Sequence, residues 1–442
     1  MALSGLDIYK LLPKTNCKEC GFATCLAFAM QLAKKAAAID KCPYISVESR
    51  ATLEAQALPP IRLITIGAGE TRLEVGNEAV MFRHEEKFHR PCGLGFIIDD
   101  NLKDAEIKGR LDKINKLKFE RVGQELNVNL VAVKQTGTPA RFCEVVKSVM
   151  DNTALGLVLM SSDPDTLVKA LEVSKGRNPL VYAATKDNAV KLAKICAELK
   201  VPLVAIAANL EGISVLTKEL ASSGAIDLML DTGRKSLAGK LWDLTQIRRL
   251  ALKKSNRALG YPVLAIAENN DVYVEAMEAA TYIAKYASIV LLKNIETWEV
   301  LSLLTLRQNI YTDPQKPLQI EPKIYPIGQV NDKSPVLITT NFSLSYYTVL
   351  SEVEASKIPS YIVSVDTEGM SVLTAWAAEK FTPEKITDTI NKFGVGEMIS
   401  HKQLIIPGYV AVMSGDLEDQ SGYKIVVGPK EAAGIPSFLK NL

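Results

Sequence analysis

The residues with the clearest chemical potential are four cysteines near the start of the chain. Cys17, Cys20 and Cys25 lie in the stretch NCKECGFATC, and Cys42 follows in KCPY. Four thiolates can bind one tetrahedral zinc ion or the four iron corners of a 4Fe–4S cluster. Structural zinc sites usually supply two pairs of cysteines, whereas here three cysteines share one loop and the fourth precedes a proline. The spacing favours a 4Fe–4S cluster, with zinc or free thiols as the alternatives.

The composition is that of a globular protein with more than one domain. The chain has 442 residues, of which 48% are hydrophobic and 23% charged, and one core rarely serves so long a chain. A formal net charge of +2 does not favour a nucleic-acid binder, which would carry a basic stripe. Neither a membrane-spanning apolar run nor a signal-peptide pattern is present. We expect a cytoplasmic protein without nucleic-acid or membrane partners.

Cysteine usage agrees with this compartment. In a long cytoplasmic chain, clustered cysteines indicate metal binding rather than disulfides. The scattered Cys92, Cys143 and Cys196 are expected to be small buried side chains.

The N-terminal part of the chain divides at a pair of prolines. Residues 1–57 hold the cysteines and a helix predicted over 27–39, where strong helix formers cluster. Residues 58–92 contain Pro59-Pro60 as a linker and two alternating runs around Gly76-Asn77, which predict a β-hairpin with its turn at that pair. We expect this hairpin to cap the bottom of the domain that follows.

Residues 93–310 show one repeated pattern, an apolar strand-like run followed by a helical segment. Continuous apolar strands alternating with helices predict a parallel sheet covered on both faces. Eight such units predict a closed (β/α)8 TIM barrel, with an open doubly wound sheet as the alternative. The eight runs span 93–99, 129–135, 156–162, 179–185, 202–208, 226–232, 263–269 and 288–294.

The remaining chain predicts a linker and a small α/β domain. Residues 311–330 are rich in proline and lack periodicity, which is typical of a linker. Residues 331–442 alternate strands and helices and predict a Rossmann-like three-layer domain. Its ligands should bind at the carboxyl ends of the strands, where loops meet the starts of helices.

The segments TNCKECGFATCLAFA and KCPY resemble the Fe–S domain of one protein family. It is the large (gamma) subunit of the corrinoid iron–sulfur protein of the acetyl-CoA synthase/CO dehydrogenase pathway, the reductive acetyl-CoA route of carbon fixation. The order of cysteine module, barrel and small α/β domain is also similar, so the resemblance covers the whole chain.

The resemblance implies a methyl-carrier subunit of a methyltransferase system, to which we assign no catalytic residues. Such a subunit accepts a methyl group from methyltetrahydrofolate, through a separate methyltransferase, on Co(I) of a cobalamin-type corrinoid. It delivers that group as methyl-Co(III) to the nickel site of acetyl-CoA synthase. The 4Fe–4S cluster, held by Cys17, Cys20, Cys25 and Cys42, returns cobalt from Co(II) to Co(I). The implied partner is a small subunit, with which the chain forms a heterodimer.

The histidines agree with a corrinoid that has no protein ligand below the cobalt. Many corrinoid domains carry Asp-x-His-x-x-Gly, but the C-terminal His401 lies in EMISHKQL, with Leu404 where the glycine would be. The family is similar to base-off corrinoid proteins that use no such histidine. A missing axial ligand eases the reduction of Co(II), because Co(I) is four-coordinate.

The resemblance also points to corrinoid contacts in the loops after the C-terminal strands. Small hydroxyls at helix starts can bond polar groups, and glycine permits a close backbone approach. We expect Thr374 nearest the lower face of cobalt. The predicted contacts are Thr340, Ser343, Ser345, Tyr346, Gly369, Met370, Ser371, Val372, Leu373, Thr374, Pro407, Gly408, Gly428, Ala433 and Gly434.

Polar residues also follow the barrel strands, but they form no metal triad or acid–base pair, so we expect them to cap and solvate strand ends. The strand-end residues are Asp99, Asp100, Gln135, Ser162, Asp163, Asn209, Asp231, Glu268 and Asn294.

Two other functions remain open. One is a pterin-dependent methyltransferase with an accessory Fe–S domain, and the other is an electron-transfer or scaffold subunit without cobalt.

Overall fold

The computed structural model describes residues 5–33, 36–46, 48–50, 53, 59–233 and 236–442. The chain divides into two compact units. One comprises Met1–Phe119 and Leu126–Tyr311, and the other comprises Glu120–Glu125 and Thr312–Leu442. No helix in the described ranges is long and apolar enough to cross a membrane.

Two short helices, Gly5–Leu11 and Cys25–Ala33, form the described core of the cysteine module. Ile8, Phe28 and Ala29 are buried between them. The second helix is rich in alanine, leucine and methionine, which favour helix. It starts at Cys25 rather than at the predicted residue 27, and residues 34 and 35 of the predicted span lie outside the described residues. The prediction of helix as far as residue 39 is wrong at its end, because residues 36–38 are not helical and Ile39 begins a separate short 3₁₀ turn.

An antiparallel hairpin precedes the barrel, as predicted, but its turn is elsewhere. Strands β1 (Ile64–Ile66) and β2 (Leu73–Val75) pair through a turn at 67–72, and the predicted turn pair Gly76-Asn77 follows β2. Gly76 has a positive φ of 95°, and a Cβ there would lie 1.9 Å from the carbonyl oxygen of Arg62. The glycine therefore serves a close backbone approach.

The hairpin closes the amino-terminal end of the barrel. Side chains of both strands, such as Ile66 and Val75, are buried in one cluster with Leu130, Val158 and Leu180 of the barrel interior. The backbone N–H of Gly67 donates to the carbonyl of Asn178 at 2.9 Å. This agrees with the expected capping role of the hairpin.

The predicted TIM barrel is confirmed as a nearly closed sheet of eight parallel strands. The strands of this part of the chain, including a hairpin β4–β5 outside the barrel sheet, are β3 (Gly93–Asp99), β4 (Lys118–Arg121), β5 (Gln124–Asn127), β6 (Leu130–Lys134), β7 (Gly156–Met160), β8 (Leu180–Ala184), β9 (Leu203–Ile206), β10 (Leu228–Asp231), β11 (Leu264–Ala267) and β12 (Ile289–Leu292). The order in the barrel sheet is β10-β9-β8-β7-β6-β3-β12-β11, and a bridge between Leu230 and Val263 links the two ends.

Helices between these strands pack their apolar faces against the outside of the sheet. Several begin at capping side chains, among them Thr138, Asp163 and Asn209, which accept backbone N–H bonds of the first turn. The helices are Asp104–Asn115, Pro139–Asn152, Pro164–Val173, Ala189–Leu199, Leu210–Ser222, Leu237–Lys254, Val272–Ala284 and Thr297–Tyr311.

The second unit contains an open five-stranded sheet of order β13-β15-β14-β16-β17. All neighbours are parallel except the edge strand β13. This edge strand comes from within the predicted linker 311–330. The strands are β13 (Ile324–Ile327), β14 (Val336–Thr340), β15 (Ser360–Val365), β16 (Gln403–Ile406) and β17 (Lys424–Val427).

Helices cover both faces of this sheet, so the unit has three layers. Ser343–Ser356 and Ile435–Lys440 pack on one face, in the cluster around Leu337 and Ile405. Other helices pack on the opposite face, around Ile338 and Val363. These are Val372–Ala377, Pro383–Lys392, Val395–Met398 and Ser414–Ser421.

Candidate functional site

The four N-terminal cysteines are placed around the short helix that begins at Cys25. All four are free; Cys25 and Cys42 are buried, Cys20 is half-buried and Cys17 is exposed. Cys20, Cys25 and Cys42 belong to one small apolar cluster. The fold thus brings these three predicted ligands together, with Cys17 at the exposed start of the loop.

The cysteine loop has an unusual backbone. Lys14, Asn16 and Lys18 have positive φ angles of 58°, 50° and 68°, and Gly21 has a φ of 84°. Positive φ is uncommon for residues with a Cβ. The loop that carries Cys17 and Cys20 is therefore irregular.

A reciprocal pair of hydrogen bonds ties this loop to the helix. The N–H of Asn16 donates to Sγ of Cys25 at 3.4 Å, and the N–H of Cys25 donates to Oδ1 of Asn16 at 2.8 Å. An N–H bond to a ligand sulfur raises the potential of a cluster bound there. Asn16 was not predicted from sequence, although its position directly before the first cysteine was a signal.

Among the described residues, no group of three or more Cys, His, Asp or Glu side chains is arranged to hold a metal ion. The choice between zinc and a 4Fe–4S cluster therefore rests on the spacing of the cysteines in the sequence.

A cavity of about 360 Å³ opens at the carboxyl ends of β14 and β16 in the second unit. From β14 the chain crosses to β15 on one side, and then returns to β16 on the other. Such a reversal of strand order leaves a crevice that binds ligands in open α/β sheets. The lining residues are Leu337, Ile338, Thr339, Phe342, Leu344, Ser345, Thr348, Val349, Ser371, Val372, Ile405, Ile406, Pro407, Tyr409, Gly428, Pro429, Lys430, Ala432 and Ile435.

Buried hydroxyls without partners lie at the ends of two strands beside the cavity. Thr339 is 1% exposed and lines the cavity, and its Oγ1 has no hydrogen-bond partner in the described part of the chain. The hydroxyls of Thr340 and Ser364 are also buried and have no hydrogen-bond partner among the described residues. Buried polar groups are normally hydrogen-bonded, so three unpaired hydroxyls near these strand ends are unusual.

Asn341 fixes the loop after β15. Its Oδ1 accepts bonds from the N–H groups of Thr367 and Gly369 and from the Thr367 hydroxyl, at 2.9–3.0 Å. Its Nδ2 donates to Gln319 and Asp366 at 3.2 Å. The loop leads directly into helix Val372–Ala377, so Asn341 positions the start of that helix.

The predicted corrinoid contacts fall into two groups. Five of them line the cavity, namely Ser345, Ser371, Val372, Pro407 and Gly428. Beside them, the Ser371 hydroxyl pairs with that of Thr374 at 3.0 Å. Thr374 and the neighbouring Leu373 are exposed.

The other predicted contacts do not line the cavity. Thr340 and Ser343 are buried, and Tyr346 packs against Tyr325 with ring centroids 4.6 Å apart. Gly369 and Gly408 serve the packing of the chain itself, since a Cβ would lie 2.5 Å from Gln319 and from the carbonyl of Gly428, respectively. A Cβ at Gly434 would contact Pro429. The carbonyl of Met370 accepts a hydrogen bond from the Thr367 hydroxyl. Ala433 is exposed.

Sequence reasoning missed most of the apolar wall. Leu337, Val349 and Ile405 resemble ordinary core residues in the sequence, because their periodicity is that of a buried strand or helix. Thr339 precedes the predicted Thr340 and carried the same signal, a hydroxyl at the end of a buried strand.

The polar residues at the carboxyl end of the barrel bond to one another. Lys240 pairs with Asp231 at 2.6 Å in a buried contact, and Tyr182 donates to Asp231 at 2.9 Å. Lys134 pairs with Glu268 at 2.6 Å. Asp163 and Asn209 each cap the start of a helix. The carboxylate of Asp100 accepts backbone N–H bonds. The side-chain amide of Asn294 donates to the carboxylate of Glu275. These contacts agree with the expected capping and solvation.

His401 has a structural contact. Its Nε2 lies 3.0 Å from the carbonyl oxygen of Ser334, and the residue does not line the cavity.

Fold and sites together define a class of protein in which a cysteine module, a parallel barrel and an open α/β sheet share one chain. Residues 63–439 match the family described as "CO dehydrogenase/acetyl-CoA synthase delta subunit". Residues 12–44 match the family described as "Putative Fe-S cluster".

Similar proteins match over their full length. The corrinoid/iron-sulfur protein large subunit of Moorella thermoacetica is 45% identical, over 100% of this chain and 99% of that protein. The acetyl-CoA decarbonylase/synthase complex subunit gamma of Methanothermobacter thermautotrophicus is 35% identical, over 100% and 99%. The chain belongs to this family of corrinoid/iron-sulfur protein large subunits. Among solved structures, dihydropteroate synthase from Thermus thermophilus covers 50% of this chain and 95% of its own, at 14% identity and a TM-score of 0.38.

Proposed function

We propose that this chain is a corrinoid methyl carrier of the acetyl-CoA pathway. It accepts a methyl group from methyltetrahydrofolate through a separate methyltransferase and delivers it to the nickel site of acetyl-CoA synthase. In this proposal residues 1–57 hold the cluster and 93–310 form the barrel, with 58–92 before it. Residues 311–330 link the barrel to a Rossmann-like corrinoid-binding domain at 331–442.

The observation that carries the proposal is the cavity at the reversal of strand order in the C-terminal sheet. It lies where such sheets bind ligands. Its lining is mostly apolar, which suits part of a large, flat cofactor. The relative named as a corrinoid/iron-sulfur protein large subunit matches this chain from end to end.

The residues beside the cavity would hold the corrinoid, and cobalt would supply the nucleophile for methyl transfer. Ser371 and Thr374 bond to each other at 3.0 Å beside the cavity. We propose that this hydroxyl pair lies below the ring without binding the metal strongly. His401 contacts the carbonyl oxygen of Ser334 through Nε2, and the proposal gives it no role at cobalt.

Cys17, Cys20, Cys25 and Cys42 would hold a 4Fe–4S cluster, which supplies single electrons for returning cobalt to Co(I). The spacing of the cysteines supports this assignment over zinc, because three of them share one loop and the fourth precedes Pro43. The N–H of Asn16 also donates to the sulfur of Cys25, a contact that would raise the potential of a bound cluster.

The proposed partners follow from the carrier role. A large subunit implies a small subunit, and we propose a heterodimer of the two. The methyltransferase and acetyl-CoA synthase would be transient partners. A pterin-dependent methyltransferase is less well supported, since polar groups at the barrel mouth, such as Lys240 and Asp231, are paired with each other.

Metal and corrinoid content tests the proposal directly. The chain should be co-purified with its small subunit under strict anaerobiosis and analysed for iron, zinc and cobalt and by visible spectroscopy. We expect about four irons and one cobalt per heterodimer. Zinc without iron would exclude the cluster, and iron without cobalt would favour an electron-transfer subunit.

A cysteine variant tests the ligand assignment. Cys42→Ser should lose iron and the absorption of the cluster, while Cys143→Ser should retain both, because Cys143 lies on a barrel helix. Equal iron content in the two variants would contradict the assignment of Cys42.

A further inference from the structure

Asn16 lies directly before the first cysteine and makes two hydrogen bonds to Cys25. Its backbone N–H donates to the sulfur of Cys25 at 3.4 Å, and its side-chain Oδ1 accepts from the backbone N–H of Cys25 at 2.8 Å. Together the two bonds close the loop that carries Cys17 and Cys20. One residue that is not a ligand therefore fixes both the loop and a donor to a ligand sulfur.

The backbone conformation of Asn16 is one that asparagine adopts readily. Its φ is 50°, and asparagine is enriched in this left-handed region among residues that have a Cβ. Cys25 begins the helix Cys25–Ala33, so its N–H has no acceptor within that helix. The Oδ1 of Asn16 supplies the acceptor. The side chain thus holds Asn16 in the position from which its own N–H reaches the sulfur.

Cys25 is a ligand position at which a hydrogen bond from the protein has a large effect. The residue is 6% exposed and lies in an apolar cluster with Ile8 and Phe28, whereas Cys17 is exposed. A hydrogen bond is electrostatically stronger in surroundings of low dielectric constant than in water. A donor to the sulfur of Cys25 should therefore matter more than a donor to the solvated sulfur of Cys17.

We infer that Asn16 is a positioning residue that sets the reduction potential of the cluster through the sulfur of Cys25. The inference rests on the cluster proposed above. An added electron increases the negative charge on the sulfurs of a cluster, so an N–H bond stabilises the reduced form more than the oxidised form and raises the potential. Without the side chain of Asn16 this N–H is no longer held on the sulfur, and the potential falls.

The test removes the side chain and keeps the backbone conformation. Asn16→Gly lacks the Oδ1 acceptor, and glycine adopts a positive φ without steric cost. The variant is prepared as the heterodimer under strict anaerobiosis, and its midpoint potential is measured by a redox titration followed by electron paramagnetic resonance. At a fixed potential we expect the ratio of reduced to oxidised cluster to fall about 3- to 10-fold, a shift of about 30–60 mV at 59 mV per tenfold change. The iron content should stay at the native value.

Thr24→Ala is the matched control, because it removes another exposed acceptor at the start of the same helix. The Thr24 hydroxyl accepts from the N–H of Ala27 at 3.0 Å, a bond that involves no sulfur. This variant should lower the melting temperature about as much as Asn16→Gly does, and it should keep the native potential.

Asn16→Asp is the second variant, because a carboxylate keeps an acceptor for the N–H of Cys25. It should retain the native Fe–S(Cys) stretching frequency in the resonance Raman spectrum. Asn16→Gly should raise that frequency, since a sulfur that loses an N–H bond binds iron more strongly. A residue that served only the stability of the loop would not change this frequency.

Three results would overturn the inference. Asn16→Gly with native iron content and a native potential would show that the side chain does not act on the cluster. An equal fall in potential in Thr24→Ala would assign the effect to a loosened helix start. Loss of iron from Asn16→Gly alone would mean that Asn16 holds the loop closed and does not tune the potential. A native heterodimer without iron is a different result, because the proposed cluster itself would then fail.

Discussion

The side-chain oxygen of Asn341 accepts a hydrogen bond from the backbone N–H of Gly369 at 3.0 Å. The contact links the end of β14 to the loop after β15. In that loop Glu368 and Gly369 both have positive φ angles, 57° and 75°. An irregular backbone of this kind persists only when its surroundings hold it, so we regard Asn341 as the anchor of the loop that leads to Ser371 and Thr374.

Replacing this anchor should destabilise the C-terminal unit. Asn341→Ala leaves the buried N–H groups of Thr367 and Gly369 without their acceptor, and we expect a loss of about 2–4 kcal/mol in the free energy of unfolding. Urea denaturation measures it. Asn441→Ala is the control, because Asn441 is exposed and its side chain bonds to the carbonyl of Ser437 one helical turn earlier, and it should change stability by less than about 0.5 kcal/mol. Equal effects of the two variants would contradict the anchoring role.

Two glycines of the C-terminal unit should respond oppositely to alanine. A Cβ at Gly408 would lie 2.5 Å from the Gly428 carbonyl oxygen and 2.8 Å from the Lys430 nitrogen, whereas nothing lies within 4 Å at Gly415. Gly408→Ala should therefore destabilise by at least about 1–3 kcal/mol through overpacking. Gly415→Ala, in a helix, should stabilise by about 0.5–1 kcal/mol. Thermal melts of both variants check the signs, and a stabilising Gly408→Ala would refute this packing.

The buried ion pair in the barrel should be costly to break on one side. Lys240 and Asp231 have side chains that are 3% and 4% exposed, so Lys240→Met leaves a buried carboxylate without its cation. We expect a loss of about 3–5 kcal/mol. Adding Asp231→Asn should restore part of this loss, because the amide carries no charge.

The control for that prediction is an exposed ion pair of the same length. Lys191 and Asp165 also lie 2.6 Å apart, but their side chains are 53% and 73% exposed. Lys191→Met should cost less than about 1 kcal/mol. Chemical denaturation compares the variants, and a similar loss in both would show that burial does not set the energy of the pair.

Glu299 should make stability depend on pH. It is fully buried, and burial, followed by the charges of Glu275 and Glu296, raises the pKa of its carboxyl to about 8. Because the folded state holds this proton more tightly than the unfolded state, stability falls as pH rises from about 4.5 to about 8. Glu299→Gln keeps the neutral form at every pH, so it should raise the melting temperature at pH 8.5 by several degrees and change it little at pH 5.

Glu296→Gln is the matched control, because Glu296 is exposed on the same segment. Its melting temperature should follow that of the native protein across this pH range, apart from a small gain at high pH from the loss of one neighbouring charge. If Glu299→Gln showed the native pH dependence, the carboxyl of Glu299 would be ionised in the fold, and the argument from burial would be wrong.

The barrel was predictable because each of its strands is a continuous apolar run and each run is followed by a helical segment. Strands such as Gly156–Met160 are buried along their full length, and the helices between them repeat at a regular interval. The hairpin Lys118–Arg121 with Gln124–Asn127 was missed, since two four-residue strands have too few residues to show alternation. Short elements depend on tertiary contacts that a local pattern does not contain.

The candidate cavity was predictable in position but not in its walls. A hydroxyl or glycine after a strand is a visible signal, and it indicated loops that contribute residues to the cavity lining. Whether such a residue faces the cavity, as Ser371 does, or packs inside, as Tyr346 does, depends on the neighbouring element. Gly369 was assigned to cofactor approach, yet its small size accommodates Gln319 from a segment about 50 residues earlier. Such pairings between distant segments leave no local trace in one sequence.

The incorporation of β13 into the C-terminal sheet shortens the linker that was predicted over 311–330. Helix Thr297–Tyr311 ends at Tyr311, and the carbonyl of Leu318 already accepts a bond from the N–H of Ser343 at 2.9 Å. Residues 324–327 pair with β15 as an edge strand of the sheet. A deletion there would therefore remove a strand and its hydrogen bonds, and it would not merely shorten a spacer.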